Sequence, residues 1–271
     1  MASILSENYS YLKENHSELL KLTIKDVCVG GYMLAVELSD GSQGMASFEP
    51  NAEIHCDKKN RDFGEFTPLQ IKGRTLLELF ECKKNNGLPN GLRVAALNAI
   101  SVKLMDTFGL KVIRETDPID LLDLSGEKVI TIVGAFHSYI KKVSKTKCHL
   151  NVLELNEEAM LPEHRQYFVP AHKYTEVLPK SDIIVITGLT IVNNTLDDLL
   201  LACNDKAQVI ITGPSSNLIP QVLFEKHIDI IGGTLISKPE LLFPLISQGA
   251  AGYHLFTYCA EKICILNEKS F

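Results

Sequence analysis

The residues best suited to chemistry follow apolar runs in the second half of the chain. Gly134 ends the first run and Glu154 ends the second, 20 residues later. An acid at that spacing accepts hydrogen bonds from ribose hydroxyls in folds that bind adenosine-bearing ligands. A desolvated carboxylate can also serve as a general acid or base. Glu154 is therefore the candidate catalytic residue, and an exposed carboxylate at a strand end is the simpler alternative.

A second group of polar residues lies further along the chain. Thr187 and Gly188 close one apolar run, and Asn193, Asn194 and Thr195 precede a predicted helix. A helix start presents free N–H groups and positive potential to an anion. Thr195 alone would satisfy the N-cap, so the two asparagines favour contact with a ligand.

The turn after the first run lacks the glycine pattern of a dinucleotide site. Such a site needs GxGxxG, but Phe136 and Tyr139 occupy the second and third glycine positions. The second glycine lets the backbone approach a pyrophosphate, so a standard NAD site is not expected. Phe136 and His137 are candidate ligand contacts. Gly134 provides clearance or, alternatively, only a tight turn.

Two further turns contain glycines that would leave room for a ligand. Gly213, Pro214 and Ser215 follow the fourth run, and Gly232 with Gly233 follows the fifth. The nucleophile elbow G-x-S-x-G is absent, so Ser215 is expected to cap or to donate to a ligand rather than to attack it. A turn without ligand contact is the alternative for both segments.

Five β-branched, apolar runs must position these residues. Continuous runs of this kind are typical of a parallel sheet that is covered on both faces. Their starts lie about 20 to 30 residues apart, which is enough for crossover connections. Ligands bind outside the carboxyl ends of such strands, so we expect the candidate residues to converge on one crevice. The runs are Val129–Val133, Leu150–Leu153, Ile183–Ile186, Val209–Ile211 and Ile228–Ile231.

The predicted fold class is α/β, with two domains. A Rossmann-like, mostly parallel sheet domain is assigned to residues 123–271, and a smaller α+β domain to residues 1–122. The proline-containing stretch 156–181 is predicted to be a lid. Tyr253–Tyr258 and Lys262–Leu266 are predicted to be final strands at the sheet edge.

The first domain is predicted to contain a helix over residues 1–22, an antiparallel meander, an irregular stretch over residues 49–73 and two further helices. A capping box formed by Thr75 and Glu78 is predicted to open the first of these two helices. Alternating apolar residues and the Asp40-Gly41 turn indicate three strands between residues 24 and 48. Arg93 and Asn98 interrupt the apolar stripe of the second helix, predicted at residues 91–108. A polar side chain in such a stripe is either satisfied internally or turned toward a neighbouring domain. Both residues are therefore candidates for closing a cleft between the domains.

Composition excludes several classes of partner. The chain of 271 residues has a net charge of −6 and no basic patch, so nucleic acid is not expected. No apolar run reaches the ~20 residues of a membrane helix, and no signal peptide is recognised. Seven cysteines without a CxxC motif indicate reduced thiols in a cytoplasm. The eight histidines show no HExxH spacing, so metal ligands and cofactors stay unassigned.

Several blocks in order resemble one known family. They are Val29-Gly30-Gly31, Gly44, Gly91–Ala99, Val133–Phe136, Val152-Leu153-Glu154, Thr187–Thr190, Asn193–Leu196, Gly213-Pro214-Ser215 and Gly232-Gly233. The chain resembles the heavy-metal chelation family, formerly domain of unknown function 364, over about residues 15–265. That resemblance implies an enolase N-terminal-like domain, a Rossmann-like domain and a cleft between them. Family members often have a proline where this chain has His137.

The resemblance implies a function class rather than a reaction. Roles proposed for the family are condensation or hydrolysis of pterin-, flavin- or siderophore-like compounds, or heavy-metal chelation. We therefore expect a binder or enzyme of a small anionic heterocycle or chelator, whose partner is a small molecule or a metal chelate. The alternatives are a non-catalytic metal carrier that uses His137, Glu154 and thiols, and an S-adenosylmethionine enzyme. A homodimer stays open.

Overall fold

A computed structural model describes residues 3–48, 64–84 and 87–268. The predicted irregular stretch 49–73 lies partly outside these residues. The strands are β1 (Ile24–Val29), β2 (Met33–Leu38), β3 (Gln43–Ser47), β4 (Val112–Arg114), β5 (Val129–Val133), β6 (His149–Glu154), β7 (Phe168–Pro170), β8 (Ile183–Thr187), β9 (Gln208–Thr212), β10 (Ile230–Ile236) and β11 (Ala260–Leu266). The helices are α1 (Ile4–Asn15), α2 (Leu76–Glu81), α3 (Gly87–Leu104), α4 (His137–Val143), α5 (Tyr174–Val177), α6 (Leu189–Val192), α7 (Leu196–Ala202), α8 (Pro220–Glu225), α9 (Pro239–Ser247) and α10 (Gly252–Tyr258).

The N-terminal module consists of α1–α3 and the antiparallel sheet β1-β2-β3. The sequence predicts this meander, and the strands form it because apolar positions of β2 and β3 face α3. Gly44 allows the closest approach: a Cβ added there would lie 2.0 Å from the carbonyl oxygen of Ala95. The predicted capping box at the start of α2 is present, since Thr75 and Glu78 each accept the other's backbone N–H.

The C-terminal module is built on one sheet with the strand order β4-β11-β10-β9-β8-β5-β6-β7. Strands β5 to β10 are parallel, and β11 is antiparallel to both of its neighbours. The six parallel strands have the order of the doubly wound dinucleotide-binding fold. In that fold the chain first adds strands on one side of the first strand and then continues on its other side. That switch point lies between β5 and β8. The α/β class and the mostly parallel sheet are as predicted.

Three predictions about elements are wrong. Residues Tyr253–Tyr258 form α10 rather than a strand, because Leu255 packs into the core while the residues on either side stay largely outside it. The segment predicted to be a lid includes β7, which pairs with β6 at the sheet edge, and its role as a lid stays a prediction. Strand β10 continues through Gly232 and Gly233 instead of ending before them, since both glycines pair with β11. Strand β11 lies inside the sheet and not at its edge.

Helix α1 of the N-terminal module is bonded to the C-terminal module. The N–H of Ile4 in α1 donates to Asp197 at 3.1 Å, and Lys226 pairs with Glu7 at 2.6 Å. Strand β4 belongs to the large sheet although it precedes residue 123. The chain therefore enters the large sheet before the predicted domain boundary, which itself remains a prediction. Every helix in the described part of the chain is too short or too polar to cross a lipid bilayer.

Candidate functional site

The carboxyl ends of β5, β8 and β9 converge, as the parallel arrangement predicts. A Cβ at Gly134 would lie 3.3 Å from the side chain of Thr187, and one at Gly188 would lie 3.0 Å from the backbone nitrogen of Ser216. Gly188 also donates its N–H to the carbonyl of Thr212 at 2.8 Å. The glycines at these strand ends therefore permit close packing of adjacent loops. We refer to this place, above β5, β6 and β8, as the crevice.

Glu154 lies in the crevice at the end of β6 and binds backbone groups. Its Oε2 accepts the N–H of Ala135 at 3.0 Å, and its Oε1 accepts those of Leu155 at 2.7 Å and Asn156 at 3.3 Å. A carboxylate offers about four acceptor positions, so three of them are used in the protein. Glu154 thus fastens the β5–α4 turn to the end of β6 and keeps about one position for another donor.

Aromatic rings fill the β5–α4 turn. Phe136 stacks on Tyr139 with ring centroids 5.4 Å apart, and its ring lies beside Gly134. The Tyr139 hydroxyl donates to Asp117. Burial and the neighbouring Asp117 carboxylate raise the pKa of Tyr139 well above its usual value. The rings of Phe136 and Tyr139 therefore stand where a GxGxxG turn has open backbone. His137 is exposed at the start of α4, and its ring lies 6.2 Å from that of His164.

The predicted residues after α6 form a local turn on the surface. Asn193 accepts the backbone N–H of Thr195 at 3.3 Å and its hydroxyl at 2.6 Å. Asn194 has a φ of 59°. Thr195 starts α7, but its side chain caps nothing because the hydroxyl is bound to Asn193. The predicted cap is wrong, and turn formation explains the two asparagines without a ligand.

Arg93 does not reach the contact between the modules, which corrects its candidacy for closing a cleft. Its guanidinium donates to the carbonyls of Leu79 and Cys82 at the end of α2 and to Asn90. The side chain is buried within the N-terminal module. Arg93 therefore satisfies the free carbonyls of a helix end, which is the internal alternative for a polar residue in an apolar stripe.

Asn98 does reach the other module. Its Nδ2 donates to the carbonyl of Met45 in its own module and to that of Pro214, at 2.8 Å, in the other. Ser215 accepts the backbone N–H of Ser47 at 2.7 Å, so this fully buried hydroxyl is an inter-module contact rather than a nucleophile. The loop after β9 is thus held against the end of β3.

Gly232 and Gly233 leave room for side chains of this protein rather than for a ligand. A Cβ at Gly232 would lie 2.3 Å from Pro118, and one at Gly233 would lie 1.9 Å from Oδ1 of Asn217. The side-chain amide of Asn217 forms two hydrogen bonds to the backbone of Thr234, as a neighbouring strand would. Its Oδ1 accepts the N–H of Thr234 at 3.1 Å, and its Nδ2 donates to the carbonyl of Thr234. The glycines are therefore required by internal packing.

A cavity of about 250 Å³ lies between the modules beside Asn98. The N-terminal module contributes the β2–β3 turn, the start of β3 and one face of α3. The C-terminal module contributes the β9–α8 loop and the end of β10. The residues used below are Gln43, Asn98, Val102, Lys103, Asn217 and Thr234. Sequence analysis predicted only Asn98 and Pro214 among the lining residues, because nothing in the local pattern around residues 43, 217 and 234 indicates a site.

Three residues of the cavity wall carry a buried oxygen that has no hydrogen-bond partner among the described residues. These atoms are Oε1 of Gln43, Oδ1 of Asn98 and Oγ1 of Thr234. Asn98 and Thr234 are each only 3% exposed. The orientation of the Asn98 amide is fixed, because its nitrogen faces two carbonyl acceptors and its oxygen must point away from them. An unpartnered buried polar atom costs about 1–3 kcal/mol, so an occupant of the cavity that forms hydrogen bonds to these three oxygens would relieve that cost.

The crevice and the cavity are separate places. Adjacent strands lie about 4.8 Å apart. Glu154 ends β6, which is three strands from β9 and four from β10, so it lies roughly 14–19 Å from the strands that border the cavity. The predicted single site therefore divides into two groups of residues. Asn98, Gly213, Pro214 and Ser215 belong to the cavity side.

Metal-ligating residues are dispersed in the described ranges. No group of three or more histidine, cysteine, aspartate or glutamate side chains there could hold a metal ion together. Burial raises the pKa of the Cys203 thiol to about 11 and that of the Cys264 thiol to about 12. Both thiols are therefore protonated near neutral pH, whereas a metal ligand must be a thiolate.

The fold and the cavity define a two-module α/β protein with a pocket between an antiparallel meander and a doubly wound sheet. The chain belongs to the DUF364 family, whose profile is described as "Putative heavy-metal chelation" and matches residues 117–265. The DUF4213 profile, which has the same description, matches residues 13–101. No curated protein matches the chain.

Two solved structures share the fold over nearly the whole chain. One is a DUF364 protein of unknown function from Pyrococcus horikoshii, with a TM-score of 0.75 and 23% identity, covering 97% of this chain and 98% of the other. The second comes from Desulfitobacterium hafniense DCB-2, with a TM-score of 0.73, 18% identity and the same coverage.

Proposed function

We propose that this protein binds a small organic molecule or a metal chelate in the cavity between its modules. The observation that carries the proposal is the grouping of three unpartnered buried oxygens, on Gln43, Asn98 and Thr234, around one cavity. Buried polar groups are kept only where something satisfies them or where they serve a function. The volume of about 250 Å³ suits a compact ligand or the recognised end of a larger one.

Membership of a heavy-metal chelation family supports a ligand that carries or captures a metal as cargo. Condensation or hydrolysis of pterin-, flavin- or siderophore-like compounds is the finer form of this proposal. It would need a catalytic group at the cavity, and Glu154 is too distant for that role. If the protein is an enzyme, Glu154 acts in the crevice on a second ligand. Phe136, His137, Thr187 and Gly188 are the proposed contacts there.

Filling the cavity is expected to remove the bound ligand. Val102 is a half-buried lining residue of α3, and Val102→Phe places a ring in the cavity. We expect native mass spectrometry of freshly purified protein to show an added mass in the wild type that is lost in this variant. Val102→Ala enlarges the same site and is the matched control, so it should keep the added mass. A mass that persists in Val102→Phe places the ligand elsewhere.

Binding of a metal ion by His137 and His164 is a second candidate function. Nδ1 of His164 is buried without a partner among the described residues, the side chain is 7% exposed, and the His137 ring lies 6.2 Å away. Two imidazoles fit the ligand preference of Ni²⁺, Cu²⁺ and Zn²⁺. The other positions would be taken by water or by a chelator. The metal would be cargo, since two ligands do not make a structural site.

Removal of one imidazole is expected to weaken metal binding at least tenfold. His164→Ala and His137→Ala should each do so in calorimetric titrations with Ni²⁺ and Zn²⁺, because the pair acts as a unit. His149→Ala removes an exposed histidine at the opposite end of β6 and is the control. Equal metal affinity in the His164 and His149 variants would rule out this candidate function.

A further inference from the structure

Hydrogen-bond acceptors predominate among the three unpartnered oxygens around the inter-module cavity. The Gln43 and Asn98 atoms are amide oxygens, which accept hydrogen bonds and cannot donate them. Thr234 contributes a hydroxyl, which can do either. A ligand that satisfies all three must therefore present N–H or O–H donors.

The Asn98 amide cannot adapt to a different ligand by turning over. Its nitrogen donates to the carbonyls of Met45 and Pro214. Rotation by 180° would bring Oδ1 against both carbonyl oxygens and lose both hydrogen bonds across the module contact. The acceptor character of this wall is thus fixed by the same bonds that join the modules.

The charge at the cavity gives an anion little compensation. Lys103 lines the cavity, but its ammonium is paired with Asp40. Burial opposes ionisation of Asp40, yet the hydrogen bonds from Lys103 and Ser42 outweigh it and hold the pKa of this carboxyl below its usual value. Asp40 is therefore ionised near neutral pH, and the lysine charge is balanced. A carboxylate or phosphate in the cavity would face amide oxygens, and the described residues of the lining offer it no unpaired cation.

We infer that the cavity recognises a neutral or cationic group that offers two or more N–H or O–H donors, such as an amide, an amidine or an amino-substituted ring. This inference rests on the proposed function and names its ligand class. It differs from the anionic ligand expected from the sequence. An anion was expected at helix starts above the sheet, whereas the acceptor oxygens lie on Gln43, Asn98 and Thr234.

Two buried threonines provide a test that does not depend on knowing the ligand. Thr131 lies in β5 and its hydroxyl is bonded to that of Ser181 at 2.7 Å, whereas the hydroxyl of Thr234 has no partner among the described residues. Thr131→Val should lower the melting midpoint by about 2–4 °C, since it breaks a made hydrogen bond. Thr234→Val should leave the midpoint unchanged or raise it, because it removes an unsatisfied group. The comparison is made on protein from which any bound ligand has been removed. A fall of equal size in Thr234→Val would then show that another group of the protein bonds this hydroxyl, and it would overturn the inference.

Three probes of one size separate the ligand classes. Benzamidine is a cation with N–H donors, benzamide is neutral with fewer donors, and benzoate is an anion without any. We expect dissociation constants from the concentration dependence of the melting midpoint to rank benzamidine tightest, then benzamide, with no shift for benzoate. Thr234→Val should weaken benzamidine about tenfold or more, the factor that one hydrogen bond to a charged group provides. Thr131→Val should leave its affinity unchanged.

The outcomes distinguish failure of the ligand class from failure of the site. If benzoate binds the wild type as tightly as benzamidine does, and Val102→Phe abolishes its binding, the cavity is still the binding site. The inference that its ligand must be a hydrogen-bond donor would then be overturned. Absence of a midpoint shift for all three probes overturns the inference whatever the mass spectrum shows. Benzamidine that binds equally well to Val102→Phe binds outside the cavity, which also overturns the inference.

Discussion

Gly44→Ala is expected to lower the free energy of unfolding by about 3 kcal/mol or more, at the upper end of what overpacking causes. The added methyl group would lie 2.0 Å from the carbonyl oxygen of Ala95 and 2.6 Å from the backbone nitrogen of Ala99. Both are backbone atoms of α3, so neither can rotate away. Strand β3 and helix α3 would have to separate, and equilibrium unfolding in urea measures the loss.

Gly31→Ala is the matched control for this substitution. Gly31 lies in the turn between β1 and β2, and a Cβ there would meet no atom within 4 Å. We expect its stability to stay within about 0.5 kcal/mol of the wild type. The Gly44 variant should also lose binding at the cavity, because β3 and α3 form one wall of it. A Gly44 variant as stable as the Gly31 variant would mean that β3 does not rest directly on α3.

Asn98→Ala is expected to cost about 2–4 kcal/mol of stability. The substitution removes the donor to Met45 and Pro214 and leaves two buried carbonyls without it. One of these bonds joins the modules, so we also expect the protein to become sensitive to proteolysis in the β9–α8 loop. Loss of the unpartnered Oδ1 offsets part of the cost. Urea unfolding followed by circular dichroism gives the magnitude.

Asn204→Ala is the matched control for Asn98→Ala. It measures the loss of stability when a similar amide is removed away from the contact between the modules. Asn204 also donates to two carbonyls, those of Pro179 at 3.2 Å and Ser181 at 2.8 Å, but it is only half-buried and acts within one module. Its loss should cost about 1 kcal/mol or less, because water replaces the lost donor. Equal costs for Asn98→Ala and Asn204→Ala would contradict a buried inter-module bond at Asn98.

Helices and strands were predicted correctly from the sequence where a local residue pattern alone determines the conformation. The β-branched run Val129–Val133 is β5 with the predicted bounds, and Thr75 with Glu78 caps α2 as the motif requires. Tyr253–Tyr258 was predicted wrongly because its aromatic and threonine residues favour strands locally, while packing against α9 and β11 selects a helix. Local propensity is overridden where burial of one face decides the conformation.

The residues of the candidate site also divide into those that could be predicted from the sequence and those that could not. Strand-end residues such as Gly134 and Thr187 could be grouped in advance, because parallel strands bring their carboxyl ends to one edge. Gly233 could not be interpreted in this way. In the sequence, a glycine at this position suggests space for a ligand. Only the position of Asn217 shows that a side chain of the protein itself fills that space. The side chain that needs the space lies 16 residues away along the chain.

The sequence by itself determined a parallel sheet whose strand ends meet at one edge, because hydrophobic periodicity and turn chemistry act between neighbours in the chain. A cleft between the domains was expected, but only the tertiary structure decided which residues line the cavity there. Gln43, Asn98 and Thr234 come from three distant segments and meet through packing. Whether a polar side chain is satisfied depends on the atoms around it in space. That information appears only when those segments are brought together.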